Sequence, residues 1–395
     1  MTDDQVFIEV NCQQKHIEGE RICGDVFLSA KLREEGRVVI VLSDGMGHGV
    51  KANVLATLTA TMALNFTKEH KAPERIAEII MNTLPVCSER KMSYSTFTII
   101  DINQDGQTTI IEYDNPRTLI MRGERIQDLW WTQVIMNTEK NKGKEIQICS
   151  FTPQKEDRII LCSDGVTQSG LGTEKFPFGW GREKLQEYLL EQVKLNRAIS
   201  ARRLASRVIA VSYKNDRYEA KDDTSCAVVY FRKPRKLLIC TGPPYEQDKD
   251  IELAKMVSDF EGKKILCGAT TSDIISRELN RKITDSFEFT DAELPPTSSM
   301  EGIDLITEGI LTLSKVSKIL NEYHDNYAIG KGPADQIVRM LRESDEIDFI
   351  IGTRINIAHQ DPNLPVELEI RRTVVKRIAR ALEEKFLKQV SLKFI

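Results

Sequence analysis

The sequence predicts an α+β region followed by a smaller α/β region with a mostly parallel sheet. Three observations carry that reading. Up to residue 233, apolar β-forming runs are joined by short polar turns, with helical stretches grouped between them. Beyond Pro234 the rhythm changes to strand, loop, helix, repeated, which implies parallel strands with ligand-facing loops at their carboxyl ends. A chain of 395 residues also has room for two full cores. The expected domains are therefore 1–233 and 234–395.

The elements follow in order. Residues 5–12 alternate as a strand. Residues 22–32, the turn Glu34-Glu35-Gly36 and the strand from Arg37 read as a β-hairpin. That hairpin sets Asp25, near the start of one strand, across from Asp44, at the end of the next. Val38 to Leu42 form a buried strand, and Met46-Gly47-His48-Gly49 then opens an apolar helix over 50–66. A second helix follows over 72–84, with Pro73 in its first turn. YSTFTIIDI, QTTIIEY and RTLIMRG read as a meander with turns at Gln104-Asp105-Gly106 and Asp114-Asn115-Pro116. Trp130 and Trp131 are expected as core or sheet-face aromatics. DRIILCSDG, 157–165, repeats the apolar strand with Ser-Asp-Gly at its end. The Gly- and Phe-rich stretch 169–181 reads as an irregular flap, and helices follow near 182–193 and 200–215, with Ser200 as an N-cap. KDDTSCAVVYF places Asp222 and Asp223 immediately before another strand.

Composition narrows the function classes. The chain is 41% hydrophobic and 29% charged with a net charge of -4, which gives no global electrostatic case for a nucleic-acid partner. The acidic, strand-like start MTDDQVFIEV reads as neither a signal nor a transit peptide. No apolar run approaches the roughly 20 residues a membrane helix needs. No membrane partner and a cytoplasmic location are expected. The 8 cysteines stand at 12, 23, 87, 149, 162, 226, 240 and 267, with no C-x-x-C pair. They read as reduced core thiols rather than a zinc or disulfide framework.

The chemistry lies in four acidic points, Asp25, Asp44, Asp164 and the pair Asp222/Asp223, each beginning or ending a buried strand. A carboxylate there is costly unless a cation, hydrogen bonds or water compensate its charge. Oxygen-rich clusters suit Mg²⁺ or Mn²⁺. Two such ions about 3.5–4 Å apart can activate a bridging water and clamp a phosphoryl oxygen. Any one Asp-Gly after a strand is usually only a turn; the set is the signal.

As a set, Gly24-Asp25, Ser43-Asp44-Gly45-Met46-Gly47-His48-Gly49 with Ala52, Ser163-Asp164-Gly165-Val166-Thr167 and Asp222-Asp223-Thr224 resemble the SpoIIE-like branch of the PP2C metal-dependent Ser/Thr protein phosphatase family. The resemblance covers roughly residues 1–232. It implies an α-β-β-α sandwich with two Mn²⁺ or Mg²⁺ ions at one end, catalytic Asp44 and Asp25, and metal ligation by Asp25, Asp44, Gly45, Asp164, Asp222 and Asp223. In that scheme Asp44 bridges both ions and the Gly45 carbonyl binds one. Asp164 and the acidic pair complete one shell, with Asp222 the better match to the ligand, and Asp25 supports the second ion. The implied nucleophile is a metal-bound hydroxide, and His48 is structural. The implied substrate is a phosphorylated protein of the anti-sigma-factor-antagonist type. Two departures bear on substrate contacts: Asp114-Asn115-Pro116 replaces the family's Gly-His-Pro turn, and Gln168 stands where the family has glutamate.

The region 234–395 resembles the uncharacterised tail of some SpoIIE-like phosphatases. Its loops 241–244, 268–272 and 352–354 each follow a strand. Thr271 or Ser272 reads as an ordinary helix N-cap, with a small anionic ligand at that helix start as the alternative. Neither a Walker lysine motif nor a full G-x-G-x-x-G is present. Two other functions stay open: a ligand-sensing regulatory scaffold acting through this region, and a phosphomonoesterase of small molecules.

Overall fold

The computed structural model describes residues 6–32, 34–83, 95–139, 141–324, 327–354, 367–386 and 388–395. Cys87, the end of the 72–84 helix at Leu84 and the start of the meander at Tyr94 lie outside the described residues. The chain divides into two compact units, Met1–Lys233 and Pro234–Ile395.

The first unit opens with β1 (Phe7–Lys15), β2 (Asp25–Leu32) and β3 (Arg37–Gly45), followed by α1 (Gly49–Lys68) and α2 (Pro73–Thr83). Then come β4 (Ser95–Ile102), β5 (Thr108–Tyr113), β6 (Leu119–Arg122), β7 (Arg125–Ile126), β8 (Thr132–Ile135), β9 (Glu145–Phe151) and β10 (Asp157–Cys162). A single helical turn α3 (Asp164–Thr167), α4 (Gly181–Leu195), α5 (Ala201–Asn215) and β11 (Thr224–Arg232) complete it. These strands form two sheets, ordered β1-β11-β10-β6-β7 and β2-β3-β4-β5-β9-β8.

Alternation along β3 explains the layering. Val38, Ile40 and Leu42 face Ile159, Leu161, Val229 and Phe231 of the other sheet. Val41 faces the opposite way, among Ala60, Ala63, Ile76 and Ile80 of α1 and α2. The outer face of the other sheet is covered by α4 and α5 through Leu185, Leu189, Leu204 and Val208. The result is an α-β-β-α sandwich, and the central strand is apolar on both faces because both are covered. Small residues let α1 sit close: its buried stripe is Ala52, Ala56, Thr59, Ala60 and Ala63. Arg37 ties the start of β3 to the end of α1. Its guanidinium donates to Asp101 at 2.7 Å and to Thr67 O at 2.6 Å.

Four local expectations are corrected. RTLIMRG does not continue the meander: β5 pairs with β4 and β9, whereas β6 pairs with β10 in the other sheet. Asp114, with φ of 58°, makes a left-handed turn where the chain leaves the sheet that holds β5. Trp130 is 88% exposed rather than in a core; Trp131 packs partly against the inter-sheet layer and carries the Arg117 guanidinium over its ring at 4.3 Å. The stretch 169–181 is irregular but anchored, since Phe176 and Trp180 are buried with α4 and α5. The described cysteines are all free, and Cys12 and Cys23 are only half-buried rather than core.

The second unit contains β12 (Lys236–Thr241), α6 (Asp250–Asp259), β13 (Lys263–Cys267), α7 (Ala269–Leu279), β14 (Thr284–Asp285), β15 (Ser298–Met300) and β16 (Ile303–Thr307). It continues with α8 (Ile310–Glu322), α9 (Pro333–Glu343), β17 (Glu346–Ile351), α10 (Glu367–Glu384) and β18 (Gln389–Phe394). Its sheet runs β14-β15-β16-β13-β12-β17-β18, with β16 to β18 parallel throughout and an antiparallel edge at β14 and β15. The chain moves outward from β12 on one side and then returns to its other side, a reversal that opens a crevice at the strand ends. Among the described residues, no helix is long and apolar enough to cross a membrane.

Candidate metal centre

The acidic points converge because two strand ends and two strand starts meet at one edge of the sandwich. Asp25 and Asp44 are directly paired across the antiparallel β2/β3 ladder. Asp164 opens α3 immediately after β10, and Asp222-Asp223 precede β11, which pairs with β10. Asp25 and Asp223 are buried, while Asp44, Asp164 and Asp222 are half-buried.

Glycines allow the approach at two of these turns. A Cβ on Gly45 would lie 2.1 Å from Ala52 O, so the first turns of α1 close directly over the end of β3. A Cβ on Gly165 would lie 2.2 Å from Asp223 O, so α3 and the 222–223 segment touch through their backbones. Gly47 and Gly49 turn the chain with φ of 94° and 71°. His48 stands at the N-cap of α1 but makes no side-chain cap; its Nδ1 pairs with Glu20 Oε1 at 2.8 Å on the surface.

The electrostatics are those of crowded like charges. Burial first, then the charges of Asp25, Asp164 and Asp222, push the Asp44 carboxyl up to about 10. Burial is the largest cause for Asp25 and for Asp222, each pushed up to about 6. Asp164 is raised mainly by burial, against hydrogen bonds that include its contact with Asp44. Two buried carboxylate oxygens, Asp25 Oδ1 and Asp223 Oδ2, have no hydrogen-bond partner. Such oxygens are costly unless a proton or a cation satisfies them. Among the described residues, no three acidic, cysteine or histidine side chains close into a ready ligand cage. An Mg²⁺-type ion keeps several waters, so its site needs no preformed all-protein cage; the orphaned Asp25 and Asp223 oxygens are what invite a cation. The residues present fit divalent ions.

Sequence reasoning missed the groups that hold these carboxylates in place. Ser225 Oγ donates to Asp25 Oδ2 at 2.6 Å. Gln168, one helical turn after Asp164, donates to its Oδ2 at 2.8 Å. Ile17 N–H donates to Asp223 Oδ1 at 3.1 Å, tying the segment before Asp25 to the acidic pair. Ser95 Oγ donates to Asp44 O at 2.8 Å. Asn115 is held by Thr96 and Thr98 on the strand facing Asp44, donating to Thr98 Oγ1 at 3.1 Å. Its neighbour Asp114 is raised by burial and by the charge of Asp164, so this turn borders the acidic cluster. Beside it, a pocket of about 360 Å³ is lined by Glu112, Arg117 and Lys144.

The sequence profile described as Stage II sporulation protein E (SpoIIE) matches residues 34–232, half of the chain, and takes in three of the four acidic points, Asp25 lying before it. The chain belongs to the SpoIIE family. SpoIIE-family phosphatases are PP2C-type serine/threonine phosphatases, and membership supports a function of that kind in bacterial signalling. The SpoIIE phosphatase domain from Bacillus subtilis is similar over 58% of this chain and 95% of its own, at 16% identity and a TM-score of 0.42. RsbX, solved in complex with magnesium, is similar over 57% of this chain and 98% of its own, at 18% identity and a TM-score of 0.41. The catalytic domain of the serine/threonine phosphatase PstP, solved with two manganese ions, aligns over 58% and 100%, at 14% identity and a TM-score of 0.38. No curated protein matches the chain.

Proposed function

We propose that the 1–233 unit hydrolyses phosphoserine or phosphothreonine on a protein, using two Mn²⁺ or Mg²⁺ ions held at the Asp44 edge of the sandwich. The observation that supports this most strongly is the meeting of four acidic strand ends around two unpartnered buried carboxylate oxygens. Asp44, at the centre of the repulsion, would be the main ligand, with the Gly45 carbonyl beside it; Asp164 and Asp222 would complete the set on one side and Asp25, held by Ser225, on the other. Asp223 is the neighbour, with one oxygen engaged by Ile17 N–H and the other against Gly24.

Bound divalent ions would supply Lewis-acid polarisation of a phosphoryl oxygen and activation of water for in-line displacement. The chain's part is to hold the carboxylates together at one edge, where bound cations would favour their charged form. The Gln168 amide and the Ser225 hydroxyl orient Asp164 and Asp25 without adding charge. Arg117, paired with Glu112 at 3.2 Å, and Lys144 line the pocket beside the Asp114-Asn115 turn, where the family's Gly-His-Pro turn is replaced. A small bacterial regulatory protein of the anti-sigma-factor-antagonist type is the proposed substrate class, on family grounds.

Chelator-treated full-length protein, reconstituted with Mn²⁺, should release phosphate from phosphoserine proteins faster than from free phosphoserine or phosphosugars. Turnover confined to small esters would instead make this a phosphomonoesterase, and turnover that ignores the metal would overturn the proposal.

A further inference from the structure

The second unit carries a cavity of about 770 Å³ at the carboxyl ends of its parallel strands, within the size range of sites that enclose small organic ligands. It straddles the ends of β12, β13 and β16 and reaches the antiparallel edge at β14 and β15.

Its chemistry changes along the sheet. At the β12 end, the buried Arg371 guanidinium packs on Gly242, where a Cβ would lie 2.4 Å from its Nη1, and donates to Gly352 O at 3.2 Å. At the neighbouring β13 end, α7 starts from Gly268 with no side-chain cap. This corrects the sequence expectation: Thr271 and Ser272 lie inside the first turn of the helix, and the Ser272 hydroxyl donates back to Gly268 O. Thr271 Oγ1 has no hydrogen-bond partner although the residue is 1% exposed. It lies 3.7 Å from where a Cβ on Gly268 would sit, on the wall of the cavity. An uncapped helix start, a cation and an orphaned buried hydroxyl together make an anion subsite.

One strand further, Glu308 follows β16 and caps α8 by accepting from Leu311 and Thr312 N–H at 3.1 and 3.3 Å. Its carboxylate is engaged there through one oxygen, and it retains acceptor capacity for a hydroxyl. At the far edge, Phe287 and Phe289 line the cavity with 91% and 76% of their surface exposed. From β12 to β15 is three strand spacings, about 14 Å in all.

We propose that this unit binds a nucleoside monophosphate, its phosphate between α7 and Arg371, its sugar hydroxyls toward Glu308 and its base against Phe287 and Phe289. The order of anion, hydroxyl acceptor and aromatic surface along the sheet edge matches the order of groups in such a ligand.

The test is calorimetric titration of the full chain with AMP, GMP, CMP and UMP in chelator, so that no metal at the Asp44 edge recruits the phosphate. At least one monophosphate should saturate a single site. Its parent nucleoside and inorganic phosphate alone should each bind at least about tenfold more weakly, a difference of about 1.4 kcal/mol. Asp44→Asn should leave the affinity unchanged, which separates this site from the phosphatase centre. Thr271→Val, nearly isosteric, should weaken the monophosphate about tenfold and leave the nucleoside unaffected. Phe287→Ala, at an exposed position that cannot disturb the core, should weaken both. No saturable binding of any of the four, or binding unchanged in both Thr271→Val and Phe287→Ala, would overturn the proposal.

Discussion

Ser225 Oγ donates to Asp25 Oδ2 at 2.6 Å across a sequence separation of 200 residues. One oxygen of the carboxylate is thereby held by β11, while the other, Oδ1, remains buried without a partner. The bond joins the two sheets at the acidic edge, since Asp25 lies in one sheet and Ser225 in the other.

Removing that hydroxyl tests whether Asp25 is held for a ligand. Ser225→Ala should lower Mn²⁺ affinity about 10- to 100-fold, the usual effect of losing a group that orients a ligand. Calorimetric titration of Mn²⁺ into wild type and variant would measure it. An affinity equal to wild type would mean that Asp25 does not act through this bond.

The acidic pair should divide by role. Asp222, half-buried and facing the charge of Asp164, is the proposed ligand. Asp223 is buried and holds Ile17 N–H at 3.1 Å. Asp222→Asn should abolish metal-dependent turnover while leaving the thermal midpoint unchanged or higher, because it removes a repelled charge. Asp223→Asn should lower the midpoint by several degrees, on the order of 1 kcal/mol. Measuring turnover and melting on both variants checks the assignment; the reversed pattern would exchange the two residues.

The metal-free chain should lose stability as pH rises. Asp25 and Asp222, raised to about 6, and Asp44, raised to about 10, bind more protons folded than unfolded at any pH above their ordinary value near 3.8. Folded-state protonation is therefore stabilising at low pH. That advantage falls between pH 4 and 6 for Asp25 and Asp222, and continues to fall toward pH 10 for Asp44. In chelator the thermal midpoint should drop from pH 5 to pH 8, and saturating Mn²⁺ should suppress most of the drop. A metal-free midpoint that is flat or rising over this range would contradict the electrostatic account.

Much of the first unit was legible in the sequence because local signals agreed with the fold. The apolar run from Val38 to Leu42 after Glu34-Glu35-Gly36 gave the hairpin, and the hairpin register follows with Asp25 opposite Asp44. What the sequence hid are relationships between distant strands. RTLIMRG looks like the next member of a meander, yet its alternation suits either sheet, and only the left-handed turn at Asp114 sends it across. Ser225 reads as one more polar residue at a strand start until β10 and β11 are placed beside β2. Trp130 departs from expectation because a large aromatic beside a strand usually finds cover, whereas here Trp131 does and Trp130 does not. Thr271 and Ser272 carry the residue types of an N-cap, but Gly268, with φ of 113°, ends the strand early enough to start the helix itself.

The carboxylates at the Asp44 edge are proposed as a binding site for divalent ions. The direct measurement is the number of Mn²⁺ ions held per chain at equilibrium dialysis, in wild type and in Asp44→Asn. The wild type should hold two ions, and Asp44→Asn should lose both while still folded by circular dichroism. Two ions retained by the folded variant, or none held by the wild type, would contradict that proposal.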